Sequence, residues 1–300
     1  MATSLTSGGV WLAGLVLWGL SGIAGATEND RPPFYQFEHG GKKVSLLGSI
    51  HLGKADFYPL PAVIETAFAS SAALVVEADI GASPAEAQKL LTQYAVKPSK
   101  PDAKTAALLG GYCSAQQQVC SAIAAYSPWL QASQITVMRF TALGYSAELG
   151  VDMQLLERAR GNKTIVELEG MEFQFALMSS LDDTHQWAMV REAIDASDAD
   201  ITELVTHWRS GNVAELDRMV RESMAEEGDN TLLNVMMRDR NKRMADTLLN
   251  LLAQKDAPSE LMVVVGAGHL VGEESLVSYL SERGIKVTSP LGHCADAVCR

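Results

Sequence analysis

The chain has 300 residues, 47% of them hydrophobic, and a formal net charge of −12. That is enough apolar material for a substantial core in one large domain or two small ones, and it places the chain among globular proteins. The acidic balance argues against nucleic acid as a partner.

Residues 10–20, VWLAGLVLWGL, form an apolar run followed by small residues and Ala24-Gly25-Ala26. This is the pattern of a signal-peptide core with an A-x-A cleavage site. The expected organisation is a signal peptide over 1–26 and one α/β domain over 27–300, in a periplasmic or secreted protein. An uncleaved anchor is the alternative, because Met1 to Gly9 carries no Lys or Arg. The run itself is too short to span a bilayer, and no later stretch reaches the roughly 20 apolar residues of a membrane helix.

Residues 43–47, KVSLL, read as a short buried strand ending in Gly48-Ser49-Ile50-His51-Leu52-Gly53, with His39 in a surface turn before it and the helical pattern PLPAVIETAFASS after it. Ala73 to Val76 form a second apolar run that stops at Glu77, and strand, helix and strand at this spacing suit a parallel crossover. From about 83 to 147 the chain turns helical, broken at Pro98, Pro101 and Pro128; this insertion is expected to cover one side of a site. It holds Cys113 and Cys120, while Cys294 and Cys299 form a second local pair. Two small disulfide loops are the preferred one of three connectivities and agree with export. Asp152 reads as the N-cap of MQLLERARG and Gly161 as its stop. A third strand covers 164–168 and closes on Glu169-Gly170, and helical pattern then runs to about Gln254, with His185 and His207 in surface contexts. The last unit copies the first: strand 261–265, then Gly266-Ala267-Gly268-His269-Leu270-Val271-Gly272 and a helix through ESLVSYLSERG. The expected fold is α/β, a mostly parallel sheet with crossover helices, large helical insertions and two similar strand-GxxH-helix units.

This layout puts His51, Glu77, Glu169 and His269 just past the carboxyl ends of four strands. If the strands are parallel, all four face the edge where open α/β sheets bind ligands. Gly48, Gly266 and Gly268 are expected to let the backbone turn sharply beside each histidine. Two imidazoles with one or two carboxylates suit Zn, Mn, Co or Fe(II), and a carboxylate off the metal can act as general base. Glu167 and Glu169 share a strand face, and Glu169 is favoured for the site. In TLLNVMMRDRNKRMADTLLNLL, Arg240 falls inside the apolar stripe of Leu233, Met237, Met244, Leu248 and Leu251, with Asn241 beside it. A guanidinium aimed inward needs carboxylates or an anionic substrate group as partner, unless it snorkels to water. A lone histidine after a strand is more often structural than functional; two in matching glycine contexts favour function.

The motifs LLGSIHLG, LVVEAD, IVELEGMEFQ, RDRNKRMADTLL and VVVGAGHLVGEESLVSYLSERGIKV occur in that order from about 44 to 288. Together they resemble the TraB/GumN family, which includes Tiki-type proteases. The resemblance implies a fold related to the EreA/ChaN-like group and, for the Tiki branch, metal-dependent proteolysis of a peptide or protein substrate. His51, His269 and Glu77 match its metal positions, and Glu169, Arg240 and Asn241 match further motif positions. The expected function is thus an exported metal-dependent hydrolase using a divalent Mn, Co or Zn ion. A haem or other ligand-binding protein, or an accessory protein in surface polysaccharide export, are the alternatives.

Overall fold

A computed structural model describes residues 29–81, 83–225 and 229–292. The expected signal peptide, His293 and the Cys294/Cys299 pair lie outside those residues. Five strands form one sheet: β1 (Phe34–His39), β2 (Lys42–Ser49), β3 (Ala73–Val76), β4 (Thr164–Glu167) and β5 (Glu260–Gly266), in the order β1-β2-β5-β3-β4. All neighbours from β2 to β4 run parallel, and β1 is antiparallel to β2.

The strand β1 is an addition to the sequence reading. His39 pairs with Lys42 across Gly40 and Gly41, whose φ values of 59° and 75° make a two-residue hairpin turn. His39 itself is exposed at that turn, as expected. The sheet is buried on both faces, so its strands read as continuous apolar runs. Leu47, Leu74, Val76, Met262 and Val264 face one core, shared with Ile64, Leu155 and Trp208. Leu46, Val75, Val263 and Val265 face the other, shared with Met244, Leu248 and Leu280. Alternation along each strand therefore builds two helical layers around one sheet.

The helical insertion does not stand alone. Its helix Pro128–Ala142 shares a separate small core, Ile123, Ile135, Trp187 and Val190, with the helix Asp183–Asp195 from beyond β4. Cys113 and Cys120 are joined, tying the helix Ala103–Ala115 to Gln117–Ile123. His185 is correspondingly not a free surface residue: its ring lies between Asp182 and Asp229, at 2.7 and 3.0 Å. Among the described residues no helix is long and apolar enough to cross a membrane.

The glycines of the two GxxH units act differently from the expected turns. None of Gly48, Gly266 and Gly268 has a positive φ; they admit close neighbours instead. A Cβ on Gly48 would sit 2.9 Å from Ala267 Cα, pressing the end of β2 against the loop of the second unit. Gly48→Ala is expected to lower stability by about 1–3 kcal/mol in urea unfolding. Gly110→Ala, in a helix with open space at that position, is expected to raise it by about 0.5–1 kcal/mol.

Candidate active site

The strand order decides what meets what at the carboxyl edge. Because β5 lies between β2 and β3, His51 and His269 follow adjacent strands, Glu77 follows the next, and Glu169 follows the last. A point one Cβ bond out from Gly266 lies 3.5 Å from Glu77 Oε1, 3.6 Å from His51 Nε2 and 3.7 Å from His269 Cδ2. The two imidazoles and Glu77 thus border one small volume.

Each imidazole is oriented through Nδ1. His51 Nδ1–H donates to Asp152 Oδ1 at 3.0 Å, because a carboxylate offers only acceptors. Asp152 is not the N-cap of its helix: Gly150 takes that place, and the Asp152 carboxylate reaches His51 from the first turn of Val151–Ala159. The ring of His51 is 63% exposed. The Asp152 charge, acting against partial desolvation, raises its pKa to about 9.

His269 is buried, and its Nδ1 lies 2.6 Å from Asn241 Oδ1. Asn241 Nδ2 donates to the Glu274 carbonyl at 2.8 Å, so its amide orientation is fixed and its oxygen faces the ring. Nδ1 of His269 therefore carries the proton. Burial lowers the His269 pKa to about 4 despite the pull of Glu77, leaving Nε2 as a bare lone pair 3.6 Å from Glu77 Oε1.

Glu77 is pinned as an anion. Its Oε1 accepts from the Gly266 amide at 2.7 Å, and its Oε2 accepts from Arg240 Nη2 at 2.6 Å and Gln174 Nε2 at 3.1 Å. Burial works against its charge, but His269, Arg240 and His51 together with the Gly266 amide outweigh that and hold its pKa at about 2. His269 helps only below its own pKa; at neutral pH Arg240 and the cationic His51 do the holding. Arg240 does not snorkel. It is 8% exposed, and its Nε and Nη2 grip Glu169 at 3.0 and 2.7 Å while Nη2 also reaches Glu77. Glu169 is completely buried behind it. Glu167 lies away from these groups, accepting the Asp79 amide.

The structure therefore brings His51, His269, Glu77, Arg240 and Asn241 together and sets Glu169 one layer back. Sequence reading missed Asp152 and Gln174 as partners. Asp152 carried a usable signal, since it falls among Val151, Leu155, Leu156 and Ala159 on the buried face of its helix, as Arg240 does in its own. Gln174 carried none beyond its place in IVELEGMEFQ. Among the described residues no three His, Cys, Asp or Glu side chains are grouped to hold a metal ion, and Glu77 is shared with Arg240 and the Gly266 amide. The donor chemistry nonetheless suits a cation: a bare imidazole nitrogen faces an ionised carboxylate with no proton between them.

Arg240→Met, which leaves two carboxylates without their cation, is expected to destabilise the protein by about 3–5 kcal/mol in chemical denaturation. In chelator-treated protein the low pKa of His269 means that the unfolded chain takes up this proton first as pH falls. Its contribution is complete above about pH 6.5 and lost by about pH 4, on the order of 3 kcal/mol. The stability gap between wild type and His269→Gln should shrink across that window; a gap independent of pH would refute the assignment.

The sequence profile of the TraB/PrgY/gumN family matches residues 33–289. The chain is 29% identical over 254 residues to the uncharacterized protein YbaP of Escherichia coli (strain K12), covering 80% of this chain and 89% of that protein. It is equally similar, over the same length, to the uncharacterized protein YbaP of Shigella flexneri. No solved structure matches it. With the profile spanning most of its length and both GxxH units, the chain belongs to the TraB/PrgY/gumN family.

Proposed function

We propose that the chain is an exported metal-dependent hydrolase, acting on peptide bonds, with His51, His269 and Glu77 as the metal-holding set. One observation carries this reading: both histidines have Nδ1 tied to an oxygen acceptor and share, with Glu77 Oε1, the space beside Gly266. Anchoring one imidazole nitrogen so that the other is presented to a cation is the usual support of a histidine ligand. Three protein donors with open positions match catalytic rather than structural sites. A divalent ion bound there supplies a Lewis acid that polarises a carbonyl and makes a water acidic.

The remaining roles fall to the chain itself. Asp152 and Asn241 hold the two rings in one tautomer. Gln174 bridges Glu77 and Glu169 and fixes both carboxylates. Glu169, sealed and bonded to Arg240, is a positioning residue rather than a base that reaches substrate. Arg240 lines the cleft beside His51 and Glu77, where its charge can stabilise an oxyanion formed on the substrate. The bridged Cys113–Cys120 pair supports an oxidising compartment, periplasmic or extracellular.

Purified protein is expected to retain or be activated by Mn, Co or Zn in a plasma-emission metal assay. His51→Ala and His269→Ala should each abolish peptide cleavage by at least ~10²-fold, and Asn241→Leu should weaken metal affinity by about 10- to 100-fold. Protein that neither binds nor responds to metal, with activity indifferent to both histidine substitutions, would sink the reading.

A further inference from the structure

Two cavities meet at His51, Glu77 and Gln174, which line both. The larger, about 330 Å3, is walled by Trp129, Phe175, Met178 and Met236 and reaches Arg240. The smaller, about 220 Å3, follows the ends of β2, β3 and β5 past Ser49, Ile80 and Gly266. Two of the three groups proposed to hold the metal, His51 and Glu77, thus line both cavities.

The larger wall is built from an unusual helix. Met171–Ser180 carries the sequence MEFQFALMSS, yet none of its side chains is fully buried. A helix so apolar ordinarily buries a stripe against the core; here Phe175 and Met178 are only partly buried against Trp129 and Leu130, and with Leu177 they line the cavity. Phe175 meets Trp129 edge-on at 5.6 Å between centroids, which gives the wall a rigid aromatic corner. Met178 and Met236 add side chains that adapt to different shapes.

A second observation is independent of wall composition. Trp129 of the larger cavity and Ser49 of the smaller each carry a buried polar atom, Nε1 and Oγ, that no described protein group satisfies. Such orphans are rare in native proteins, and both lie beneath the cavity walls rather than on their surface.

We propose that the two cavities are subsites flanking the reacting bond, the larger one taking a bulky apolar side chain of a peptide substrate. Arg240 at the inner end of the larger cavity is already paired with Glu77 and Glu169, and the apolar remainder of the wall offers a charged side chain nothing to replace its hydration. The identity of the cleaved bond rests on the hydrolase reading above; the binding preference does not.

The test uses blocked Gly-Phe-Gly, Gly-Ala-Gly and Gly-Asp-Gly peptides in calorimetric titration, with cleavage-site mapping in a blocked octapeptide library, both on the full-length protein loaded with Mn. The Phe peptide is expected to bind at least about tenfold tighter than the other two. Cleaved bonds should carry Phe, Leu or Met on one fixed side. Met178→Trp, which fills the cavity, should shift the preference to Ala. Equal affinity for all three peptides, or cleavage with charged residues flanking the bond, would overturn the subsite assignment. Tight, selective binding of the Phe peptide without any cleavage would overturn the hydrolase reading and leave the subsite standing.

Discussion

Arg240 lies between Glu77 and Glu169, and the geometry of the site follows from that contact. One guanidinium on the helix Asp239–Ala253 spans the carboxylates at the ends of β3 and β4, so the helix is docked to the sheet edge by charge as well as by Met244 and Leu248. Burying three ions is unfavourable unless each finds its counter-charge and hydrogen bonds. Here the planar fork of the arginine and the Gln174 amide supply them. A π-helical turn, Asn234–Arg238, precedes this contact. Such turns concentrate at functional sites, and this one sits just before the two adjacent residues, Arg240 and Asn241, that both face inward.

The order of strands explains the division of labour among the carboxylates. Adjacent strands stand roughly 4.8 Å apart, so the edge presents an imidazole, an imidazole, a carboxylate and a carboxylate in that sequence across β2, β5, β3 and β4. Glu77 is next to the histidine strands and reaches them. Glu169 is one strand further, with β3 between it and β5, and the guanidinium occupies the gap. A carboxylate at that distance serves by fixing its neighbour.

Much of this was legible because the strands are buried on both faces: KVSLL, ALVV and LMVVV stand out as apolar runs, and a charged or imidazole residue at the end of each is conspicuous. Arg240 was legible for the same reason, as a charge in an apolar stripe. What stayed hidden depends on three-dimensional order. Nothing local shows that β5 inserts between β2 and β3, or that β1, FYQFEH, closes the sheet through a Gly-Gly turn. Asp152 was misread because a polar residue at the start of a helix fits a cap equally well, and only the position of His51 across the edge tells the two apart. The glycines of the GxxH units were read as turns, whereas Gly48 is required by the approach of Ala267 from the neighbouring strand's loop.

The two histidines share a site but not a protonation state. A carboxylate partner on an exposed ring lifts His51 to about 9, and an amide partner on a buried ring leaves His269 at about 4. Neighbouring titratable groups driven so far apart mark functional sites more often than structural ones. Burial and partner together explain the divergence: burial disfavours the His269 imidazolium and Asn241 offers no charge against it, whereas the Asp152 charge stabilises the imidazolium of His51. At neutral pH the pair therefore comprises one cationic ring and one neutral ring beside the Glu77 anion. Any cation that takes the place of the His51 proton leaves the charge of this cluster no lower and gives the bare His269 nitrogen the partner that the fold withholds from it.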